Sequence, residues 1–161
     1  MQRRTVALLV ACGGAFFGFL DATIVNVSFP DIARSFPESS RSGLSWILDA
    51  YFIVLAALLV PAGAIADRLG RKRVFLWGLG AFTVCSALCA VAPTLDTLIA
   101  ARVLQGAGAA VLAPVSLALV LPEFPPQRRA TAVGIWGASA ALAAAMGRRS
   151  GACSSSWRTG A

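Results

Sequence analysis

Apolar residues fill five long stretches of this chain, and short polar stretches separate them. The apolar stretches run over residues 6–29, 44–66, 74–92, 97–121 and 131–147. Roughly 20 helical residues, within a range of about 17–25, cross a hydrocarbon core of about 30 Å. A span surrounded by lipid must satisfy its own backbone polar groups, and an α-helix does so within one segment. The pattern therefore predicts an all-α, polytopic membrane protein with about five transmembrane helices.

The polar connections predict how these helices are oriented. They are short, so consecutive helices should run antiparallel, and they lie near residues 31–43, 67–73, 93–96 and 122–130. With five alternating helices, the N-terminus and the second and fourth connections share one side, which carries most of the basic residues. These basic residues are Arg3, Arg4, Arg68, Arg71, Lys72, Arg73, Arg128 and Arg129. By the positive-inside rule they predict a multi-pass protein of the cell membrane with a cytoplasmic N-terminus.

Composition and charge agree with a membrane protein. Charged residues make up 13% of the 161 residues, whereas soluble domains carry about 25%. The net charge of +7 comes from short segments between apolar runs, so we expect it to orient the helices rather than to bind nucleic acid. The predicted partner is therefore the lipid bilayer, with binding of acidic lipid by a basic patch as a secondary alternative.

The residue types present argue against an enzyme. The chain has four cysteines and no histidine. The cysteines form no Cys-x-x-Cys pair, and Cys85 and Cys89, which share one helical face, are expected to pack in the core. There is no nucleotide-binding loop and no nucleophile paired with a base. The sequence thus predicts no enzyme activity, no catalytic residue, no metal site and no cofactor. The first apolar run is read as a retained span rather than a signal peptide, because it continues through Phe29 without a small-residue cleavage site.

Three ionisable residues lie inside the predicted spans, namely Asp21, Asp49 and Arg102. Such a side chain costs roughly 2.5–3.5 kcal/mol at the membrane centre, so it should face a cavity or a partner. The rise of about 1.5 Å per residue places all three in the outer half of the membrane. An Asp21–Arg102 contact is expected if the first and fourth helices adjoin; side chains reaching to the interface are the alternative, above all for Asp49. A carboxylate that is ionised beside Arg102 and protonated when desolvated could relay a proton or bind a cationic substrate.

Several short stretches, read together, resemble the major facilitator superfamily. GAIADRLGRKR at residues 63–73 is similar to the motif between helices two and three of that family, and RVLQGAGAA at residues 102–110 is similar to the motif of helix four. LDATIVNVSFP at residues 20–30 is similar to the helix-one signature of the fourteen-helix drug:proton antiporters, and WILDAY at residues 46–51 resembles the start of their helix two. The resemblance implies an incomplete N-terminal six-helix bundle of the major facilitator fold over residues 1–147.

The resemblance also implies roles for individual residues. Those assigned to proton coupling or the central cavity are Asp21, Asn26, Asp49, Arg102 and Gln105. Those assigned to the cytoplasmic gate motif are Gly63, Asp67, Arg68, Gly70, Arg71, Lys72 and Arg73. Within that motif, the glycines would permit close packing and a tight turn, and Asp67 would interact with helix ends and basic residues. The glycines expected at helix-packing contacts are Gly106, Gly108, Gly134 and Gly137.

These motifs favour a transporter fragment that resembles a proton-coupled efflux antiporter for drugs or other small molecules. Its expected ligands are the proton and a small-molecule substrate, provided that the missing helices complete it. Two alternatives remain: an uptake transporter for a nutrient or metabolite in the same superfamily, or a non-transporting membrane fragment that pairs with another polypeptide. The motif LDATIVNVSFP favours efflux.

The resemblance stops at residue 147, and residues 148–161 are expected to form a polar, aberrant tail. The family's helix-five motif, approximately G-P-x-x-G-G, is absent, and RRSGACSSSWRTGA follows instead. With one choice of GC-rich codons, a single C inserted after the codon of Gly147 yields GPALGGLLVELAHW, which contains that motif. The hypothesis is a shift of reading frame at this position. A chain of about five helices would then lack the surfaces that alternating access requires.

Overall fold

The structure, a computed structural model, describes the backbone of residues 2–36 and 40–158 and the side chains of residues 5, 8–36 and 40–147. Five helices follow one another within that part of the chain: α1 (Gln2–Ser35), α2 (Arg41–Leu69), α3 (Arg71–Ala90), α4 (Leu95–Val120) and α5 (Arg129–Arg158). Two short 3-10 turns, Leu121–Glu123 and Pro126–Arg128, join α4 to α5. Each helix contains a stretch that is long and apolar enough to cross a membrane. The predicted all-α fold with five spans is confirmed.

Helices α1 and α5 extend well beyond the ends of their apolar stretches. Helix α1 continues through Pro30 to Ser35, into the predicted first connection. Asp31 supports this extra turn, because its carboxylate pairs with Arg34 at 3.0 Å and its carbonyl accepts a hydrogen bond from Ser35. Helix α5 likewise continues to Arg158, so the polar segment after residue 147 is helical as far as that residue. The apolar stretches therefore predict the membrane-spanning parts of α1 and α5, whereas both helices end further along the chain.

Some sequence predictions concern residues outside the described part. The side chains of Arg3 and Arg4 and those of the predicted tail at residues 148–161 belong to this group. The assignment of the basic N-terminus to one side of the membrane and the frame-shift hypothesis for the tail both stay predictions.

One of two compact units contains α1, α5 and the two 3-10 turns. Small residues lie where α1 and α5 meet: a Cβ added at Gly147 would lie 2.8 Å from the side chain of Thr23. The hydroxyl of Ser139 also donates a hydrogen bond to the carbonyl of Cys12, at 3.5 Å. A small buried cluster of this unit consists of Ala11, Val120 and Ala132. Close approach of this kind is how helices associate where lipid removes the hydrophobic driving force.

The second unit contains α2, α3 and α4 as far as Leu119. The hydroxyl of Ser40 caps α2 by accepting a hydrogen bond from the amide of Gly43 at 3.0 Å. Gly70 ends α2 and immediately precedes α3, and it has a φ of +97°. That conformation suits glycine, because a Cβ would clash with the backbone there. The tight turn predicted at Gly70 is what allows two long helices to follow each other with one residue between them.

Helix α4 approaches both of its neighbours in this unit through glycine. A Cβ added at Gly106 would lie 2.8 Å from the carbonyl oxygen of Tyr51 in α2. One added at Gly108 would lie 2.9 Å from the amide nitrogen of Phe82 in α3. Real Cβ atoms do not approach backbone atoms so closely, so each of these two contacts requires a residue without a Cβ, which is glycine. Gly106 and Gly108 thus lie at the contacts of α4 with α2 and with α3.

Gly134 and Gly137 in α5 have different surroundings. A Cβ added at either residue would meet nothing within 4 Å in the described part of the chain, and both residues are exposed. The glycine that α5 does bring into close contact is Gly147. Gly134 and Gly137 lie on a face of α5 that has no close neighbour within the described part of the chain, so their assignment to helix packing stays a prediction.

Candidate functional site

Arg102 lies inside α4 with only 6% of its surface exposed. Its guanidinium carbon is 6.0 Å from the centroid of the Tyr51 ring, which is within the range of a cation–π contact. The local geometry follows from Gly106, one turn further along the same face of α4. Because Gly106 lets the backbone of Tyr51 come close, the ring of Tyr51 can lie beside the guanidinium.

Gln105 is the second polar group on this part of α4, and it is fully buried. Its side-chain oxygen accepts a hydrogen bond from the thiol of Cys89 in α3, with 3.4 Å between Sγ and Oε1. Its Nε2 is buried and has no hydrogen-bond partner within the described part of the chain. A buried amide donor left in this state costs about 1–3 kcal/mol, which is unusual in a stable interior.

These four side chains from three helices are called the Arg102 cluster here, and they are Tyr51, Cys89, Arg102 and Gln105. Its chemistry is that of a fixed positive charge in apolar surroundings. Guanidinium groups remain protonated and form strong hydrogen bonds with carboxylates and other anions. An ionisable residue inside a membrane span is a candidate member of a substrate or proton pathway. The cluster is therefore suited to stabilise an anionic group that enters the membrane.

A second arrangement joins the α2–α3 turn to the end of α4. Both Nε and Nη2 of Arg71 lie 2.9 Å from Oδ1 of Asp67. Nη1 of the same guanidinium donates a hydrogen bond to the carbonyl of Ala118, also at 2.9 Å. The last carbonyls of a helix lack intrahelical donors and carry partial negative charge, so a guanidinium there is favourable. We call Asp67, Arg71 and Ala118 the gate cluster.

The remaining residues of the predicted gate motif lie around this cluster without joining it. Arg68, Lys72 and Arg73 are exposed. Gly63 is half-buried inside α2, and a Cβ there would meet nothing within 4 Å. Within the motif, the structure therefore assigns specific contacts to Asp67 and Arg71 and a backbone requirement to Gly70.

The other predicted cavity residues have different surroundings. Asp21 is half-buried in α1, Asn26 is exposed in α1, and Asp49 is exposed in α2. The exposure of Asp49 agrees with the alternative that its side chain reaches the interface. The expected Asp21–Arg102 contact stays a prediction.

Three partners in these clusters were not identified from sequence. Tyr51 was read only as part of a motif, Cys89 as a packing residue, and Ala118 was not singled out. The pairing of α2 with α4 could be anticipated only from the glycines of α4, and sequence does not show which residue a glycine faces. A backbone carbonyl such as that of Ala118 leaves no mark in the sequence at all.

A family model and two individual relatives were found to be similar to this chain. The model of the Major Facilitator Superfamily matches residues 11–159. The methylenomycin A resistance protein of Streptomyces coelicolor is 43% identical over 143 residues, which are 88% of this chain and 30% of that protein. The multidrug resistance protein Stp of Mycobacterium tuberculosis is 42% identical over 149 residues, which are 91% of this chain and 28% of that protein.

A solved structure shares the fold. It is the crystal structure of a bacterial homologue of the human lysosomal transporter Spinster, in an inward-facing and unoccupied conformation. The TM-score is 0.80 at 23% identity, with 89% of this chain and 30% of that chain covered. This chain thus spans about 30% of the length of the proteins that it matches.

Proposed function

This chain belongs to the major facilitator superfamily, and we propose that its helices form the gate-bearing part of a proton-coupled efflux transporter for small molecules of the antibiotic class. Two relatives above 40% identity are named for resistance to methylenomycin A and to multiple drugs, which supports efflux. Superfamily transporters pair two six-helix halves around a midplane site. The five helices would therefore work together with further helices.

The observation that carries this proposal is the burial of Arg102 in a membrane-spanning helix. Its exposed fraction is 6%, and its guanidinium lies over the aromatic ring of Tyr51 in the second unit. A protein that used α4 only as a lipid-embedded scaffold would gain stability from an apolar residue there, because a buried guanidinium is costly. The presence of this buried charge fits a role in proton or substrate passage.

In the proposed mechanism, Arg102 supplies the fixed charge and Asp21 supplies the group that takes up and releases a proton. A guanidinium favours the ionised form of a carboxylate that approaches it, and separation in an apolar setting favours the protonated form. Movement of the helices would thus change the protonation state of the carboxylate. Asn26 and Gln105 are proposed to line the same passage, whereas Asp49 is proposed to act at its mouth.

The gate cluster has a separate role in this proposal. By the positive-inside rule, the side that carries the α2–α3 turn is cytoplasmic, which also puts the N-terminus in the cytoplasm of a cell-membrane protein. Arg71 holds Asp67 and the end of α4 together on that side. We infer that this contact stabilises the state in which the cytoplasmic side is closed.

A chimeric transporter tests the proposal. The matching region of the Streptomyces coelicolor methylenomycin A resistance protein is exchanged for the corresponding residues of this chain, and the chimera is expressed in a pump-deficient host. We expect it to lower accumulation of the drug in a way that a protonophore abolishes. Arg102→Gln and Asp21→Asn should abolish efflux, whereas Arg128→Gln, an exposed change outside both clusters, should not.

Two results would contradict the proposal. One is a chimera that reaches the membrane at the normal level and exports nothing. The other is an active chimera in which both Arg102→Gln and Asp21→Asn retain full proton-dependent efflux. The variants Tyr51→Phe and Tyr51→Leu test the contribution of the cation–π contact to efflux, because only phenylalanine keeps a ring face for the guanidinium.

A further inference from the structure

An open groove of about 430 Å³ lies on the surface of the second unit and is lined by residues of α2, α3 and α4. Its lining is almost entirely apolar. Leu69 of α2 and Val74 of α3 lie near the α2–α3 turn, and Trp77, Ala81 and Cys85 continue along α3. None of these residues belongs to the gate cluster or to the Arg102 cluster. The groove is therefore a separate feature of this unit.

The length of the groove matches one leaflet of a bilayer. From Val74 to Cys85 the lining covers eleven residue steps of α3, or about 16 Å at a rise of about 1.5 Å per residue. Half of a hydrocarbon core of about 30 Å is nearly the same distance. The groove thus begins at the membrane surface beside the α2–α3 turn and ends near the midplane.

Basic side chains stand at the surface end of this groove. Arg73 lies one helical turn before Trp77, on the same face of α3. Arg73, Lys72 and Arg68 are exposed, and the one acidic residue of this turn, Asp67, is already paired with Arg71. Trp77 itself is 67% exposed, and tryptophan is enriched at the level of lipid headgroups. The end of the groove at the membrane surface is therefore positively charged, while its length is apolar.

We propose that this groove binds an anionic phospholipid, with one acyl chain along Val74, Trp77 and Cys85 and the headgroup phosphate at Arg73. The two ends of such a lipid match the two ends of the groove, because an acyl chain needs an apolar channel and a phosphate needs guanidinium donors. A free phosphate ion would leave the apolar part unfilled, and a zwitterionic lipid would carry an amine toward the basic cluster. The lipid would brace the α2–α3 turn at the base of the gate.

Tryptophan quenching by brominated lipid tests this proposal on the purified full chain. The chain is placed in phosphatidylcholine vesicles that contain, at equal mole fraction, either phosphatidylglycerol or phosphatidylcholine with brominated acyl chains. We expect stronger quenching by the anionic lipid, and we expect Trp77→Phe to remove that difference. Arg73→Gln should lower the preference for the anionic lipid by about fivefold, the effect of one basic residue near a membrane surface.

Matched variants separate the groove from general attraction to charge. Arg128→Gln removes an exposed basic residue of the other unit and should leave the preference unchanged. Ala81→Phe fills the groove from an exposed position and should abolish the preference, whereas Ala87→Phe, exposed but outside the lining, should not. All five substituted positions in this experiment are exposed, so we expect the fold to be retained.

Three outcomes would overturn the proposal. Equal quenching by the two brominated lipids would show that the site has no headgroup preference. A preference that survives both Arg73→Gln and Ala81→Phe would assign it to diffuse charge. Absence of Trp77 quenching by either lipid would show that protein, such as a second copy or further helices, covers the groove.

Discussion

The thiol of Cys89 in α3 donates a hydrogen bond to the side-chain oxygen of Gln105 in α4, with 3.4 Å between the two atoms. This contact orients a fully buried amide one turn from the buried Arg102. A thiol is a weak hydrogen-bond donor, but it is small enough to fit between two closely packed membrane helices. Cys89 therefore serves as more than a packing residue.

Removing the thiol should weaken the second unit. Cys89→Ala deletes the hydrogen bond, and we expect the free energy of unfolding to fall by about 0.5–1.5 kcal/mol. Cys89→Ser keeps a donor of similar size and should lose less. Unfolding in mixed micelles at increasing SDS fraction measures both. If the serine and alanine variants were equally stable, the hydrogen bond would have no role in stability.

Adding a methyl group at Gly108 should force α3 and α4 apart. In Gly108→Ala the new Cβ would lie 2.9 Å from the Phe82 amide nitrogen and 3.2 Å from the Gly78 carbonyl oxygen, and neither backbone atom can move alone. We expect a loss of about 1–3 kcal/mol in unfolding free energy, as for other overpacked sites. Gly134→Ala is the control, because its Cβ meets open space and should be neutral or stabilising. The opposite order of stabilities would show that the α3–α4 contact is loose.

The turn between α2 and α3 should depend on Gly70. Its φ of +97° is unfavourable for any L-residue with a Cβ, so Gly70→Ala should cost about 1–2 kcal/mol. Gly63→Ala changes a glycine of the same motif that is helical and has open space around it, and it should gain up to about 1 kcal/mol. Thermal unfolding followed by circular dichroism compares the two. An alanine at position 70 that unfolds at the wild-type temperature would contradict the assigned backbone conformation.

Loss of the Arg71 guanidinium should loosen the end of α4. Arg71→Lys keeps the charge but cannot bridge Asp67 and the Ala118 carbonyl with the same fork of donors. We expect amide exchange in the last turn of α4 to become about tenfold faster, which corresponds to one charge-assisted hydrogen bond worth about 1.5 kcal/mol. Hydrogen exchange read by mass spectrometry measures this, with Arg73→Lys as the control. Unchanged exchange in α4 would mean that the bridge is not maintained.

The reading-frame hypothesis makes a prediction about nucleotides. The codons from Gly147 onward should yield GPALGG after insertion of one base, because this restores the helix-five motif that the resemblance leads one to expect. Sequencing the gene across this junction decides the matter. Codons that give no such motif in the shifted frame would end the hypothesis.

The spans could be predicted from sequence because each apolar stretch is long enough to cross a membrane and is bounded by short polar connections. The turn at Gly70 could also be predicted, because a glycine in the short basic connection between two spans indicates a tight turn. The end of α1 was not visible: Asp31 and Arg34 read as a connection, yet they pair with each other along a continuing helix. Local ion pairs can extend a helix past its apolar part.

The clusters were predicted only in part. Arg102 stood out because a charge inside an apolar span is costly, and Asp67 and Arg71 stood out through their motif. Tyr51 and Cys89 did not, since tyrosine and cysteine are ordinary residues in membrane helices. Their roles depend on which helices adjoin, and a strongly apolar helix gives little indication of the face that meets a neighbour. For the same reason, the sequence does not indicate that Gly147 is the glycine of α5 that lies against α1.

Gly106 and Gly108 are two residues apart on α4, so they point about 200° away from each other around its axis. One is pressed against the backbone of Tyr51, and the other against that of Phe82. A turn of α4 about its own axis would bring a bulkier residue into both narrow gaps at once, with no free direction of rotation. Rotation of α4 alone about its own axis is therefore opposed by α2 and α3 at the same time.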